Sequence, residues 1–240
     1  MEELAMNAWP ALQTKLYDGW ILRFGCGYTK RSNSVNPIYH STLSVAEKIS
    51  FCENGYENLN LPVVFKLTNQ SYPGNIDDEL EKRCYSRIDV TSVRIAELDR
   101  LKYSNLEGLV IENKFKDAWF NGFIHCSGLE NRGLQNSARN ILNNVLGEVV
   151  AVRKEIDNNV VACGYGAIER DYIGIFDVIV EKNHRGKGFG QDIMEGILRN
   201  AMHKGIKTAY LSVVVGNVPA ENLYQKLGFR EVYRYWYRKK

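Results

Sequence analysis

The stretch Arg185-Gly186-Lys187-Gly188-Phe189-Gly190 decides how this chain is read. It follows an apolar run, Ile173 to Val180, that predicts a buried central strand. It opens a segment with apolar residues at helical spacing as far as about Lys204. Phe189, Ile193, Ile197 and Ala201 share one face, Met194, Leu198 and Met202 widen it, and Gly205 supplies the stop. A glycine turn between a strand and a helix N-terminus gathers backbone N–H groups on one concave surface. The helix dipole adds partial positive charge there, and Arg185 and Lys187 add full charges. Such a combination binds phosphate.

The spacing narrows the choice of phosphate. A nucleoside triphosphate loop needs Gly-x-x-x-x-Gly-Lys-Ser/Thr, and no Ser or Thr follows Lys187. A dinucleotide fingerprint needs Gly-x-Gly-x-x-Gly after the first strand of its domain. Gly186, Gly188 and Gly190 are instead spaced Gly-x-Gly-x-Gly, behind at least two earlier strands. A bare strand-to-helix turn would spend three glycines to no purpose, each costing about 1 kcal/mol against alanine in a regular element.

Outward from the loop, Thr208 to Val215 predicts a strand, Pro219 to Leu227 a short helix capped near Asn217, and Phe229 to Arg238 a last, tyrosine-rich strand. Upstream, Leu109 to Ile111, Val149 to Arg153 and Val160 to Glu169 predict strands, with helices at Asp117 to Cys126 and Leu134 to Leu146. Glu97 to Leu106 reads as a linker. Before it come a helix over Leu4 to Tyr17 broken at Pro10, a strand at Gly19 to Phe24, a helix at Leu43 to Tyr56, a strand at Val63 to Leu67, a short helix at Asp77 to Arg83 and a strand at Tyr85 to Ile95. The alternation gives a mixed α/β class.

The two halves align without gaps when residue n is set against residue n+144. Leu67 then falls on Leu211, Lys82 on Lys226 and Tyr85 on Phe229, which reads as an internal repeat. The repeat fails at the loop. Arg185 to Gly190 faces Ser41-Thr42-Leu43-Ser44-Val45-Ala46, Asn217 faces Pro73, and Tyr224 faces Leu80.

Residues 147–240 resemble the GNAT superfamily of acyl-CoA N-acyltransferases. The family's loop pattern Arg/Gln-x-x-Gly-x-Gly/Ala is matched by Arg185, Gly188 and Gly190. Its Asn-x-x-Ala-x-x-x-Tyr followed by Gly-Phe is matched by Asn217, Ala220, Tyr224, Gly228 and Phe229. The resemblance implies two GNAT-like units, each a twisted mixed sheet flanked by helices. Residues 1–103 would be a degenerate unit without the loop, and residues 104–240 the N-acetyltransferase. It implies acetyl-CoA as co-substrate, its pyrophosphate held by Arg185, Gly186, Lys187, Gly188, Phe189 and Gly190. Val178, Ile179 and Val180 would lie along the pantetheine, and Asn217 would touch the cofactor or simply cap its helix. Tyr224 matches the family's general acid for the departing thiolate.

For the general base, Asp177, Glu169 and Asp171 lie near the expected acyl end, and the choice among them stays open. No Cys/His/Asp arrangement suggests a covalent acyl-enzyme. Tyr233, Tyr235, Trp236, Tyr237, Trp119 and Phe120 are candidates to line the acceptor cleft between the halves, or to be core. The acceptor is an amine, small molecule or peptide, and a homodimer is left open. The rival readings are a CoA-binding sensor without turnover and a scaffold with a vestigial loop.

Bulk properties fit this. A chain of 240 residues with 45% hydrophobic residues buries one large core or two small ones. A net charge of +3 is too mild for a nucleic-acid partner, and the basic end (Arg234, Arg238, Lys239, Lys240) reads as solvated. Five scattered cysteines without a Cys-x-x-Cys pair suit a reducing cytoplasm, and four histidines without metal-ligand spacing argue against a metal site. No run of about 18 apolar residues predicts a membrane span.

Overall fold

The computed structural model describes residues 1–98 and 108–240. The expected linker and the expected boundary between residues 103 and 104 lie largely or wholly outside the described residues. The first half runs α1 (Glu2–Ala8), β1 (Gln13–Tyr17), β2 (Trp20–Phe24), β3 (Ser34–Pro37), α2 (Val45–Glu57), β4 (Val64–Thr68), α3 (Ile76–Lys82) and β5 (Ser86–Glu97). The second runs β6 (Leu109–Glu112), α4 (Asp117–Ser127), α5 (Arg132–Asn143), β7 (Glu148–Ile156), β8 (Asn159–Glu169), β9 (Tyr172–Val180), α6 (Phe189–His203), β10 (Thr208–Val214), α7 (Val218–Lys226) and β11 (Arg230–Lys239).

The helix expected over Leu4 to Tyr17 is two elements. Pro10 ends α1, and Gln13–Tyr17 pairs antiparallel with Trp20–Phe24 through Asp18-Gly19. Both turn residues have positive φ, 42° and 80°, as the tight hairpin turns that match strand twist require. Local apolar spacing suggested a helix, but a neighbouring strand edge won the segment.

The strands form one sheet of 11, in the order β1-β2-β3-β4-β11-β5-β10-β9-β8-β7-β6. The last strand of each half is exchanged. β11 lies antiparallel between β4 and β5, and β5 lies antiparallel between β11 and β10. The exchange is built into the cores. Ala96 and Leu98 join the cluster beneath α6, while Trp236 joins Trp20, Phe65 and Leu80 beneath α2 and α3. Arg238, expected to be solvated, is buried. It donates from Nε to Asp77 of α3 at 2.8 Å and from Nη1 to the Tyr85 carbonyl at 2.9 Å. Element starts repeat at a constant interval: Val45 and Phe189, Val64 and Thr208, Ser86 and Arg230 each lie 144 positions apart.

α6 and α7 cover one face of the second half. On the other face α1, α4 and α5 cover Tyr165 and Phe176. Trp119 is fully buried there, its indole N–H shared between the carbonyls of Val152 (3.0 Å) and Gly164 (3.1 Å). Thus α1, from the extreme N-terminus, is a structural part of the second half.

Candidate active site

Parallel pairing of β9 with β10 runs from Tyr172↔Thr208 to Ile175↔Leu211 and stops. Both strands continue, but each follows its antiparallel partner. β9 stays with β8 as far as Val180↔Ala162, and β10 stays with β5 as far as Val214↔Thr91. The two central strands therefore part, and the β10-facing edge of Val178, Ile179 and Val180 has no strand partner among the described residues. The bulge that helps turn β9 falls at Asp177, where the register with β8 slips by one residue and φ is 49°.

At the far end of this wedge lies the glycine loop. A single 3-10 turn, Lys182–His184, leads into Arg185, and α6 starts at Phe189 with Gly188 as its N-cap. Gly186 (φ 77°) and Gly188 (φ 85°) occupy the left-handed region that other residues rarely adopt. The N–H groups of Gly186, Lys187, Gly188, Phe189 and Gly190 donate to no protein acceptor among the described residues. They sit at an exposed helix N-terminus with Arg185 and Lys187 beside them, which is an anion cradle. Arg185 Nε donates to the Val180 carbonyl at 3.3 Å. His184 Nδ1 lies 2.5 Å from Glu181 Oε2, and its ring stacks near Phe189. Asn217 is the cap of α7, its side chain accepting from the Ala220 N–H at 3.5 Å.

Where β9 and β10 diverge there is a cavity of about 260 Å³. The second half lines it with the β9 segment Ile175 to Ile179, Ser212 of β10 and Tyr224 of α7. Burial pushes the Tyr224 phenol up to about 12, against the pull of Arg94 and with a contribution from Asp177. Asp177 Oδ1 accepts from Arg31 Nη2 at 2.8 Å, while Asp177 Oδ2 is buried with no partner among the described residues. Tyr224 and Asp177 are thus brought together.

Glu169 is not with them. It lies at the opposite end of the β8–β9 hairpin, where the Asn7 amide donates to both its oxygens at 3.2 and 3.0 Å. It lines a second cavity of about 690 Å³, and Met6 and Arg23 face both cavities. Asp171 is exposed on the same distant turn. Of the aromatic candidates, Tyr235 lines the first cavity, while Trp119, Phe120, Trp236 and Tyr237 are core and Tyr233 donates its hydroxyl to Glu2 at 2.6 Å.

The sequence reading missed what the first half brings. Arg23, Arg31 and Lys66 line the same cavity, closed over by Ala5 and Met6 of α1. Lys66 Nζ donates to Glu2 Oε2 at 2.6 Å. Burial raises the Glu2 carboxyl, but Lys66 and the Tyr233 hydroxyl outweigh it and hold it below the usual carboxylate range. Burial likewise opposes the charge on Arg31, and Asp177 outweighs it and holds the guanidinium above its ordinary value. No motif marks these three cations. Only the sheet order brings them to the wedge.

The first half's own loop is filled from within. The Asp18 carboxylate accepts from the N–H of Thr42 (3.0 and 2.9 Å), the N–H of Leu43 (2.9 Å) and the Thr42 hydroxyl (2.9 Å). The Lys48 ammonium, itself fully buried, completes the site at 3.1 Å from Asp18 Oδ2.

Comparison with known proteins agrees with this geometry. The family model described as "Probable histone acetyltransferase Rv0428c C-terminal" matches residues 1–238. The chain belongs to that family. It is 27% identical over 242 residues to the "Uncharacterized N-acetyltransferase YobR" of Bacillus subtilis (strain 168), covering 99% of this chain and 96% of that one. In fold it is similar to a GCN5-related N-acetyltransferase from Kribbella flavida, with TM-score 0.72, 12% identity, and coverage of 100% of this chain and 95% of that one. It is also similar to a tandem GNAT protein from the clavulanic acid biosynthesis pathway, with TM-score 0.66, 12% identity, and coverage of 99% of this chain and 87% of that one. This member of the family is an acyl-CoA-dependent N-acetyltransferase with the GNAT fold. Among its described residues no helix is long and apolar enough to cross a membrane.

Proposed function

We propose that the chain transfers the acetyl group of acetyl-CoA directly to an amine held in the wedge between β9 and β10. The observation that carries the reading is the succession of three features along β9 and the loop that follows it: a cavity holding Tyr224 and Asp177, a β9 edge without a strand partner among the described residues, and loop N–H groups without an acceptor among them. A CoA thioester matches that order. Its pyrophosphate meets the loop, its pantetheine amides meet the edge of Val178–Val180, and its acetyl carbonyl reaches the cavity.

In this reading the amine nitrogen attacks the thioester carbon. The new N–C bond forms, the C–S bond breaks, and the electron pair leaves on sulfur. Tyr224 gives that sulfur its proton, a task suited to a phenol that stays neutral at physiological pH. Asp177 Oδ2 accepts the proton the amine loses, and solvent returns one to Tyr224. Proximity supplies a large share of the rate, because the groove fixes both reactants. Asn217 acts as a helix cap, and Glu169 has no part in the chemistry.

We also propose that residues 1–98 are a GNAT-like unit whose acyl-CoA site is closed, and that it serves the second unit by exchanging β5 and walling the cavity. Calorimetry with acetyl-CoA tests this. One site per chain, weakened about 5–30-fold when Gly188 is replaced by valine, supports it, and two sites or none refute it. Thiol release over a panel of amines then tests turnover.

A further inference from the structure

The cavity beside Tyr224 carries an unequal charge. Its wall holds three cations, Arg23, Arg31 and Lys66, and one carboxylate, Asp177. Two of the cations are matched, Arg31 by Asp177 at 2.8 Å and Lys66 by Glu2 at 2.6 Å. Arg23 is not. It is 4% exposed, and its guanidinium reaches only backbone carbonyls: Arg31 through Nη1 at 2.7 Å, and Met6 and Trp9 through Nη2. Its Nε donates to no acceptor among the described residues. Burial pushes the guanidinium down to about 10, so it remains charged at neutral pH.

A buried charge without a directly paired counterion is costly, since desolvation is returned only in part by neutral acceptors. Three carbonyls fix the direction of the guanidinium without neutralising it. That is how a protein holds a cation ready for an anionic ligand group. Asp177 lines the same cavity, and its Oδ2 is buried with no hydrogen-bond partner among the described residues. One cation without an ion-pair partner and one carboxylate oxygen without a hydrogen bond, among the residues lining one small space, are complementary to a zwitterion.

From this juxtaposition we infer that the acceptor is a free amino acid or a close analogue, its carboxylate on Arg23 and its amine between Asp177 and the thioester. The inference rests on the acetyl-transfer reading and adds the chemistry of the acceptor to it. The cavity, about 260 Å³, sits just under the roughly 300–1,000 Å³ of small-molecule pockets, which favours a compact acceptor. Polycationic amines are disfavoured, because a second ammonium would face Arg23. A peptide amine whose carboxylate is tied up in an amide leaves Arg23 unmatched.

The test uses the full chain with acetyl-CoA and reads thiol release against free amino acids, their carboxamides and polyamines. The expected result is that kcat/KM for the preferred amino acid exceeds that for its carboxamide by about 100-fold, the scale set by a buried charged hydrogen bond. Arg23→Gln should raise KM for the amino acid at least tenfold, leave the acetyl-CoA Kd in place, and narrow the gap between acid and amide. Arg23→Lys should restore part of it. Arg23 also ties down three carbonyls, so if the Gln variant fails to fold, the comparison of acid with amide on the unaltered chain decides alone. Equal turnover of acid and amide, a preference for polyamines, or no turnover of any amino acid while acetyl-CoA binds would each overturn the inference. Failure to bind acetyl-CoA would instead overturn acetyl transfer itself, and the acceptor assignment with it.

Discussion

Two helix N-termini in this molecule, 144 positions apart, answer the same physical problem in opposite ways. At Gly186–Gly190 the first N–H groups of α6 have no acceptor among the described residues. At Thr42–Leu43, ahead of α2, the same kind of groups are closed by a carboxylate from the chain itself, Asp18, with buried Lys48 behind it. An orphaned helix terminus demands an anionic or polar partner. Whether that partner is a ligand or a side chain decides if the terminus binds or merely folds. The backbone follows suit. The open loop needs positive φ at Gly186 and Gly188, whereas Ser44, the counterpart of Gly188, caps α2 at φ −63° by accepting from the Glu47 N–H.

The sharpest way to break the comparison is at Tyr224 and its counterpart Leu80. Tyr224→Phe removes one hydroxyl from the cavity wall. It should lower kcat about 100-fold, within the usual range for a general acid, with the acetyl-CoA Kd and the melting temperature nearly unchanged. Leu80 is fully buried among Trp20, Phe65 and Tyr85, so Leu80→Ala should cost about 2–5 kcal/mol of stability. Its remaining folded fraction should keep its kcat. A Tyr224→Phe variant with unchanged kcat would end the assignment of the acid. With the phenol pushed up to about 12, kcat should also show no alkaline fall from this group up to pH 10. It acts when protonated, so activity would be lost only as pH rises through that value.

A smaller effect is expected at the loops. Gly188→Val places a β-branched side chain at φ 85°, which costs roughly 1–2 kcal/mol in backbone strain alone. Acetyl-CoA binding measured by calorimetry should weaken about 5–30-fold as the N–H groups turn away. Ser44→Val removes a helix cap worth about 1 kcal/mol, and should lower the melting temperature without touching the acetyl-CoA Kd. If both variants weakened binding, the first loop would not be closed.

Much of this contrast is legible in the sequence. Gly-x-Gly-x-Gly after an apolar run, and the Asn, Tyr and Gly-Phe spacing beyond it, are local signals, so the loop, α6, α7 and Tyr224 were readable in the chain. What stayed hidden is non-local. Nothing near β5 or β11 announces that each leaves its own half, because strand patterning fixes a face and not a neighbour. The same exchange carries Arg23, Arg31 and Lys66 to the cavity, and each looks in sequence like an ordinary surface cation. The position 144 before Asp177 is Asn33, a polar residue of similar shape. Its amide oxygen accepts from the Gly25 and Gly27 N–H groups at 2.8 and 2.9 Å, a turn-building task with no charge. The distance of Glu169 from Tyr224 and Asp177 was hidden for a related reason. Glu169 sits on a strand adjoining β9, but at the paired end of the wedge rather than the open one.

The gentlest probe of the comparison is acid. Hydrogen bonds from the Leu43 N–H, and then from Thr42, hold the Asp18 carboxyl well below the usual carboxylate range, with burial opposing them. A carboxyl lowered in the folded state contributes stability that is complete above its unfolded value, near pH 4, and fades as pH falls toward the folded value. Asp18→Asn should therefore lower the melting temperature by a few degrees at pH 7 and by the same amount at pH 5, and the gap to the unaltered chain should shrink below about pH 4. Acetyl-CoA binding at the second loop should be untouched across that range, since its donors are backbone N–H groups far from Asp18. A stability gap that held constant into strong acid would mean that the Asp18 charge is not what closes the first loop. Added pyrophosphate that restored the melting temperature of Asp18→Asn at pH 7 would sharpen the reading in the other direction. It would show that the closed terminus retains the geometry of an anion site, and that one internal carboxylate separates it from the open one.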